Sequence, residues 1–185
     1  MPPTFHRTND FTDSFQEIVD MYGVARYQEV NPGPFTIITF PFLFGVMFGD
    51  VGHGLLMFAF SFVLVLAWMV MKGPHKGALK SLFAAKWLLL LMSIFAIYCG
   101  FMYNECFALP MGIFPTNWEY SVPYYRNQFS THIDPGYVYP FGVDPLWKGA
   151  KNELDYYNSL KMKTSVTIGV AQVPTSLPPL PSLRF

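Results

Sequence analysis

Charge is what this chain has least of. Only 13% of its 185 residues are Asp, Glu, Lys or Arg, against about 25% in soluble domains. Twelve basic and twelve acidic residues cancel to a net charge of zero. There is no basic stripe or arginine cluster, so nucleic-acid binding has no electrostatic support. Cysteine is equally sparse, with Cys99 and Cys106 alone. On one helix their Cα atoms would lie about 10 Å apart, beyond the reach of about 7 Å that a disulfide allows. The expectation is two unpaired thiols, too few for a metal site. The opening residues MPPTFHRTNDF lack the basic-then-apolar pattern of a cleavable signal peptide. No phosphate-binding loop of the G-x-x-x-x-G-K-[ST] type occurs, so nothing points to a nucleotide cofactor.

What the chain does have is apolar length. From Phe35 to Met71, 37 residues carry one formal charge, Asp50. A straight helix of that length would measure about 55 Å, whereas the hydrocarbon core of a bilayer is about 30 Å thick. The run is therefore expected to fold back on itself at its one polar, glycine-rich point, Gly49-Asp50-Val51-Gly52-His53-Gly54. This predicts a membrane hairpin over 35–71. Its first arm, Phe35 to Phe48, is short and interrupted by Pro41. Its second, Leu55 to Met71, is uncharged. Gly45 and Gly49 form a small-xxx-small pair that lets another helix approach closely.

The remaining segments fall around that hairpin. Residues 1–34 are polar, and Phe11, Phe15, Ile18, Val19 and Tyr22 follow helical spacing between a candidate cap, Asn9, and a candidate stop, Gly23. This helix lacks a lysine-rich face and is expected to pack on protein rather than lie on lipid. Asn31-Pro32-Gly33-Pro34 should break helical structure. Residues 72–86 hold Lys72, Lys76, Lys80 and Lys86 with no acid, which predicts a cytosolic loop and therefore a cytosolic N-terminus. Residues 87–103 read as a third span. Residues 104–160, rich in proline and aromatics, read as an irregular lumenal cap, and 161–173 as the start of a fourth span. The tail 174–185 is proline-rich, and Val173 to Pro181 is expected not to continue a helix. The fold class expected is an all-α, multi-pass membrane protein.

Five polar residues stand out. Asp50 is either a proton-path residue or, as is favoured, a structural acid at the hairpin tip that caps the second arm. Lys161 and Lys163, at the entrance to the fourth segment, are candidate partners for Asp50; alternatively they extend to the interface. His53, three residues after Asp50, could relay protons with it or be a satisfied turn histidine. Glu105 could belong to an acidic lumenal vestibule or be a solvated loop acid. A membrane enzyme built on Asp50 and His53 would lack a recognisable nucleophile–base–orienter set.

The stretch from PPTFHRTNDF through PGPFTIITFPFLFGVMFGDVGHGLLMF resembles subunit a of the eukaryotic vacuolar-type proton ATPase, as do LLLLMSIFAIYCGFMYNECF, YPFGVDPLW and LDYYNSLKMKTSV. The resemblance covers Pro2 to about Gly169, with departure expected from about Ala171. It implies a membrane stator subunit set against a rotating proteolipid ring, in a pump that acidifies vacuoles or endosomes. ATP hydrolysis would belong to other subunits. The implied partners are the ring, other membrane-sector subunits, the lipid bilayer and, through a cytosolic domain not in this sequence, the peripheral stalk. The family's essential arginine has no counterpart here: Arg7, Arg26, Arg126 and Arg184 all fall outside the expected spans. The sequence thus reads as a truncated stator, or alternatively as a truncated non-transporting paralogue acting in structure or assembly.

Overall fold

A computed structural model of the chain describes residues 5–25, 30–71, 78–120, 130–132 and 136–176. Among the described residues six α-helices run in the order α1 Asp13–Tyr22, α2 Gly33–Phe48, α3 Val51–Val70, α4 Ala78–Ala84, α5 Lys86–Tyr103 and α6 Glu153–Ser176. Between α5 and α6 lie two small antiparallel ladders, β1 Glu105–Cys106 with β2 Leu109–Pro110 and β3 Trp118–Tyr120 with β4 Ser130–His132. A 3-10 turn over Pro145–Trp147 follows. The chain is thus mostly helical, and the expected irregular cap carries short strands. Two- and three-residue ladders are too brief to leave an alternating pattern in the sequence.

The apolar run does break at Gly49-Asp50. Both residues are extended, and helices follow on either side. Its two arms, however, are not each other's main partner. α5 packs against both of them. A Cβ on Gly45 would lie 2.6 Å from the Phe95 carbonyl oxygen, and one on Gly49 would lie 2.7 Å from Cys99 Cβ. The two contacts advance together along α2 and α5, so these helices run parallel. A Cβ on Gly54 would meet Ile97 at 2.8 Å, and one on Gly100 would run into the Val51 nitrogen, so α3 and α5 run antiparallel. Ser61, Ser93, Ala96 and Cys99 are buried with them. Close helix approach through small side chains is what apolar bundles use where burial from water cannot drive association.

α3 has 20 residues and α5 has 18, long and apolar enough to cross a membrane; α2 is apolar but shorter at 16. At 1.5 Å per residue α3 spans about 30 Å. Much of its surface faces outward, with Leu55, Phe60, Val63, Leu66 and Val70 exposed.

Several boundaries differ from expectation. α2 begins at Gly33, because Pro34 stands in its first turn, where the missing N–H costs nothing. Its N-cap is Pro32, and Asn31 just before it accepts the Gly33 N–H through Oδ1 at 3.0 Å. α1 starts after Thr12 rather than Asn9 and stops at Gly23. α6 runs unbroken through Val173-Pro174 to Ser176; the proline falls in the last turn, where a single lost hydrogen bond is tolerated. α4 occupies part of the expected basic loop. Lys72 and Lys76 of that loop, Arg26, and residues 177–185 of the tail lie outside the described residues.

Lys86 was expected in that loop as a cytosolic charge. It is instead the first residue of α5 and only 1% exposed. Its Nζ donates to Asp10 Oδ1 at 2.9 Å and lies 4.2 Å from the centre of the Trp68 ring. Trp87 Nε1 donates to the other Asp10 oxygen at 3.2 Å, and Phe11 meets the Trp87 ring edge-on at 5.9 Å. The Asp10–Lys86 knot ties the N-terminal segment, the end of α3 and the start of α5 to one end of the bundle. Asp50 marks the other end.

Candidate functional site

Asp50 is the N-cap of α3: its Oδ1 accepts from the His53 N–H at 3.1 Å. Asx residues favour this position because their oxygen satisfies a helix donor that has no partner within the helix. The same carboxylate reaches across to the β1–β2 turn. Phe107 N–H donates to Oδ1 at 3.0 Å and Ala108 N–H to Oδ2 at 2.9 Å. His53 Nδ1 stands 3.1 Å from Oδ2. The side chain of Asp50 is nearly buried, and that of His53 is 67% exposed.

The turn that Asp50 holds is strained. Phe107 (φ 50°) and Ala108 (φ 59°) are both left-handed without being glycine, a conformation that costs about 1–2 kcal/mol per residue. It gives the β-ladder the twist of a two-residue hairpin and aims two successive N–H groups at one carboxylate. Burial alone would raise the Asp50 carboxyl. The N–H groups of Ala108, Phe107 and His53, with the His53 side chain, outweigh burial and lower it to about 2. Asp50 is therefore held as an ionised, fully engaged acceptor. The ring of Phe107 lies on α3 where Gly52 leaves room, since a Cβ there would fall 2.5 Å from the ring. It meets His53 edge-on at 5.2 Å.

Lys161 does not pair with Asp50. Its Nζ approaches the Met47 carbonyl at 3.4 Å and lies 5.1 Å from the centre of the Tyr103 ring. Tyr103 OH donates to the Val46 carbonyl at 2.9 Å. Both acceptors belong to the last turn of α2, whose final carbonyls have no helical donors and carry the negative end of the helix dipole. Opposite charges thus serve opposite helix ends across one turn: Lys161 at the end of α2, Asp50 at the start of α3. The expected ion pair is replaced because main-chain groups occupy both residues.

Glu105 is not a solvated acid. Lys148 Nζ donates to its Oε1 and lies 3.3 Å from Glu153 Oε1. Burial would lower the Lys148 ammonium, but its hydrogen bond and attraction to Glu105, together with Glu153, raise it instead. Asp50, His53, Glu105 and Lys161 line one open groove of about 510 Å³ between the arms, walled by Phe44 and Met57. Lys163 lies apart, in a second groove with Asp155. Among the described residues no cluster of three or more His, Cys, Asp or Glu side chains could hold a metal ion, and Cys99 and Cys106 are both free.

The family described as the V-type ATPase 116 kDa subunit family matches residues 1–178. The chain belongs to that family. It is 50% identical over 94% of its length to the human "V-type proton ATPase 116 kDa subunit a 3", covering 23% of that protein. It is 51% identical over 93% to a Dictyostelium discoideum "Vacuolar proton translocating ATPase 100 kDa subunit" and 45% identical over 93% to the Arabidopsis thaliana "V-type proton ATPase subunit a1", covering 21% of each. The chain spans about a fifth of the length of the curated relatives it matches. The family match runs past Ala171, where the resemblance was expected to end.

In this member of the 116 kDa subunit family, sequence reasoning missed Phe107, Ala108, Lys148 and the Asp10–Lys86 pair. Main-chain donors on a left-handed turn carry no side-chain signature. Asp10 and Lys86 stand 76 positions apart. The one available signal for Lys86 was its place at the start of an apolar run, beside Trp87.

Proposed function

We propose that the chain supplies part of the membrane stator of an ATP-driven rotary proton pump and, within that complex, contributes to organelle acidification. α3 and α5 cross the bilayer, the shorter α2 is shielded by α5 and α6, and the Asp10–Lys86 end faces the cytosol. The Asp50 end with its cap then faces the lumen. Family membership supports the pump, and lysines without acids over 72–86 support the orientation. The proteolipid ring, other membrane-sector subunits and the peripheral stalk are the proposed partners, on a vacuolar, endosomal or lysosomal membrane.

Within that assembly we assign bracing rather than proton transfer to the Asp50 turn. The observation that carries this is the carboxylate itself, whose two oxygens accept three main-chain N–H groups. A group so engaged stabilises a conformation. A relay must bind and release a proton near working pH.

The test is to tag the chain in its native cells and then to remove it, with co-purification and vacuolar pH as readouts. Recovery with the proteolipid ring, together with altered acidification, supports the stator reading. Recovery with the ring and no change in acidification supports the alternative, a structural or assembly factor. Failure to recover any membrane-sector subunit refutes both. Lys80→Cys and Phe114→Cys should label from opposite sides of the membrane.

A further inference from the structure

The β1–β2 turn has a surface that its place in a cap over the bundle does not explain. Phe107 is 52% and Leu109 66% exposed, and between them stands Ala108. The nearest charge on the hairpin, Glu105, is turned inward onto Lys148. The exposed apolar surface of α3 continues directly into this turn. Leu55 and Leu56, exposed in its first turns, follow His53 and Gly52, on which the Phe107 ring rests.

The main-chain polarity of the turn is the second observation. A turn in water can leave its N–H groups to solvent. Here both are directed at a buried carboxylate, in a left-handed conformation that costs energy to hold. Below water, every unsatisfied main-chain polar group costs several kcal/mol, so a loop tolerates lipid only when its donors are satisfied internally. Aromatic and apolar side chains around a satisfied backbone are what the headgroup–acyl boundary accepts.

We infer that the Phe107–Leu109 turn is an interfacial anchor that inserts into the lipid layer at the Asp50 end of the bundle, with Asp50 neutralising the turn's donors so that insertion is possible. This rests on the reading of α3 as a membrane span. The occupant is lipid, because the turn continues the surface that faces lipid along α3 and presents no charge of its own to a protein partner.

The test places an environment-sensitive fluorophore on Leu109→Cys and, separately, on Val63→Cys in the middle of α3. Both are made in the full chain carrying Cys106→Ser, with Cys99 left in place because it is buried. The chain is reconstituted alone in phosphatidylcholine nanodiscs. Quenchers are acyl chains brominated near the headgroup, brominated deep, or aqueous iodide. The expected result is deep quenching at 63 and shallow quenching at 109, with iodide several-fold less effective at both than on free dye. Quenching at 63 by lipid but at 109 by iodide overturns the anchor and leaves the span intact. Iodide quenching at 63 overturns the span and the anchor with it. Shielding of 109 that needs other subunits shows a protein occupant and also overturns it. Asp50→Ala should make 109 several-fold more iodide-accessible with 63 unchanged; if 109 stays in lipid, the role given to the carboxylate is wrong.

Discussion

Replacing Asp50 by alanine strands three main-chain donors at once. The cap at the His53 N–H contributes about 1 kcal/mol. The Phe107 and Ala108 N–H groups are only partly shielded, so each takes the low end of the cost of an unmet donor, about 1 kcal/mol. The total is about 3 kcal/mol, or roughly a hundredfold in the opening equilibrium of the turn. The short β1–β2 ladder would then have to hold residues 107 and 108 left-handed without the carboxylate, and they should relax. Hydrogen exchange read by mass spectrometry on a peptide covering 104–110 measures this, with 93–100 of α5 as the internal reference. The variant should exchange about a hundredfold faster at 107 and 108 with little change in the reference. Asp50→Asn keeps one acceptor oxygen and should fall between. Unchanged protection at 107 and 108 in Asp50→Ala would refute the assignment. The pH dependence has a definite sign. The folded carboxyl lies at about 2, below its ordinary 3.8, so its contribution is complete above pH 3.8 and lost as pH falls through 2. Protection corrected for intrinsic rates should therefore stay flat from neutral pH down to 3.8.

The Asp10–Lys86 pair should respond asymmetrically to mutation: Asp10→Ala leaves a buried ammonium unpaired and should cost about 3 kcal/mol. Lys86→Met leaves only Asp10, which is 54% exposed, and should cost less; equal losses in thermal unfolding in detergent would contradict the burial of Lys86. Gly45→Ala and Gly100→Ala force a Cβ against the main chain of a neighbouring segment and should destabilise by about 1–3 kcal/mol. Gly169→Ala in α6 meets nothing within 4 Å and should be neutral or stabilising, by up to about 1 kcal/mol, in the same assay. Because Lys148 is raised from 10.5 by Glu105 and Glu153 despite its burial, its contribution is complete below 10.5 and lost as pH rises through the higher folded value. Exchange around 145–153 should quicken only in that alkaline range, and Lys148→Met should abolish the step.

Much of the architecture is legible without coordinates, for reasons that can be named. The break at Gly49-Asp50 follows from length, since 37 apolar residues cannot be one span. The Gly45–Gly49 spacing anticipates a close helix, because a Cβ on Gly45 would fall only 2.6 Å from the Phe95 carbonyl oxygen. A capping role for Asp50 was legible from residue type and position. Its other two partners were not, because they are amide groups of Phe107 and Ala108, whose side chains announce nothing. Lys161 drew notice as a charge near the tip, yet its partner is the Met47 carbonyl rather than an acid. For Glu105 the sequence leaves a lumenal vestibule or a solvated acid open, because Lys148, 43 positions away, cannot be placed beside it from sequence.

The sequence alone determined where the apolar run must turn and that a carboxylate sits at the turn. These are local quantities, set by residue type and rise per residue. Tertiary structure decided that α5 lies against both arms, that Lys86 is buried on Asp10, and that Asp50 serves the main chain of a strained hairpin. Those depend on which distant groups meet, and an apolar face specifies that it will be covered or wetted by lipid without specifying what arrives there.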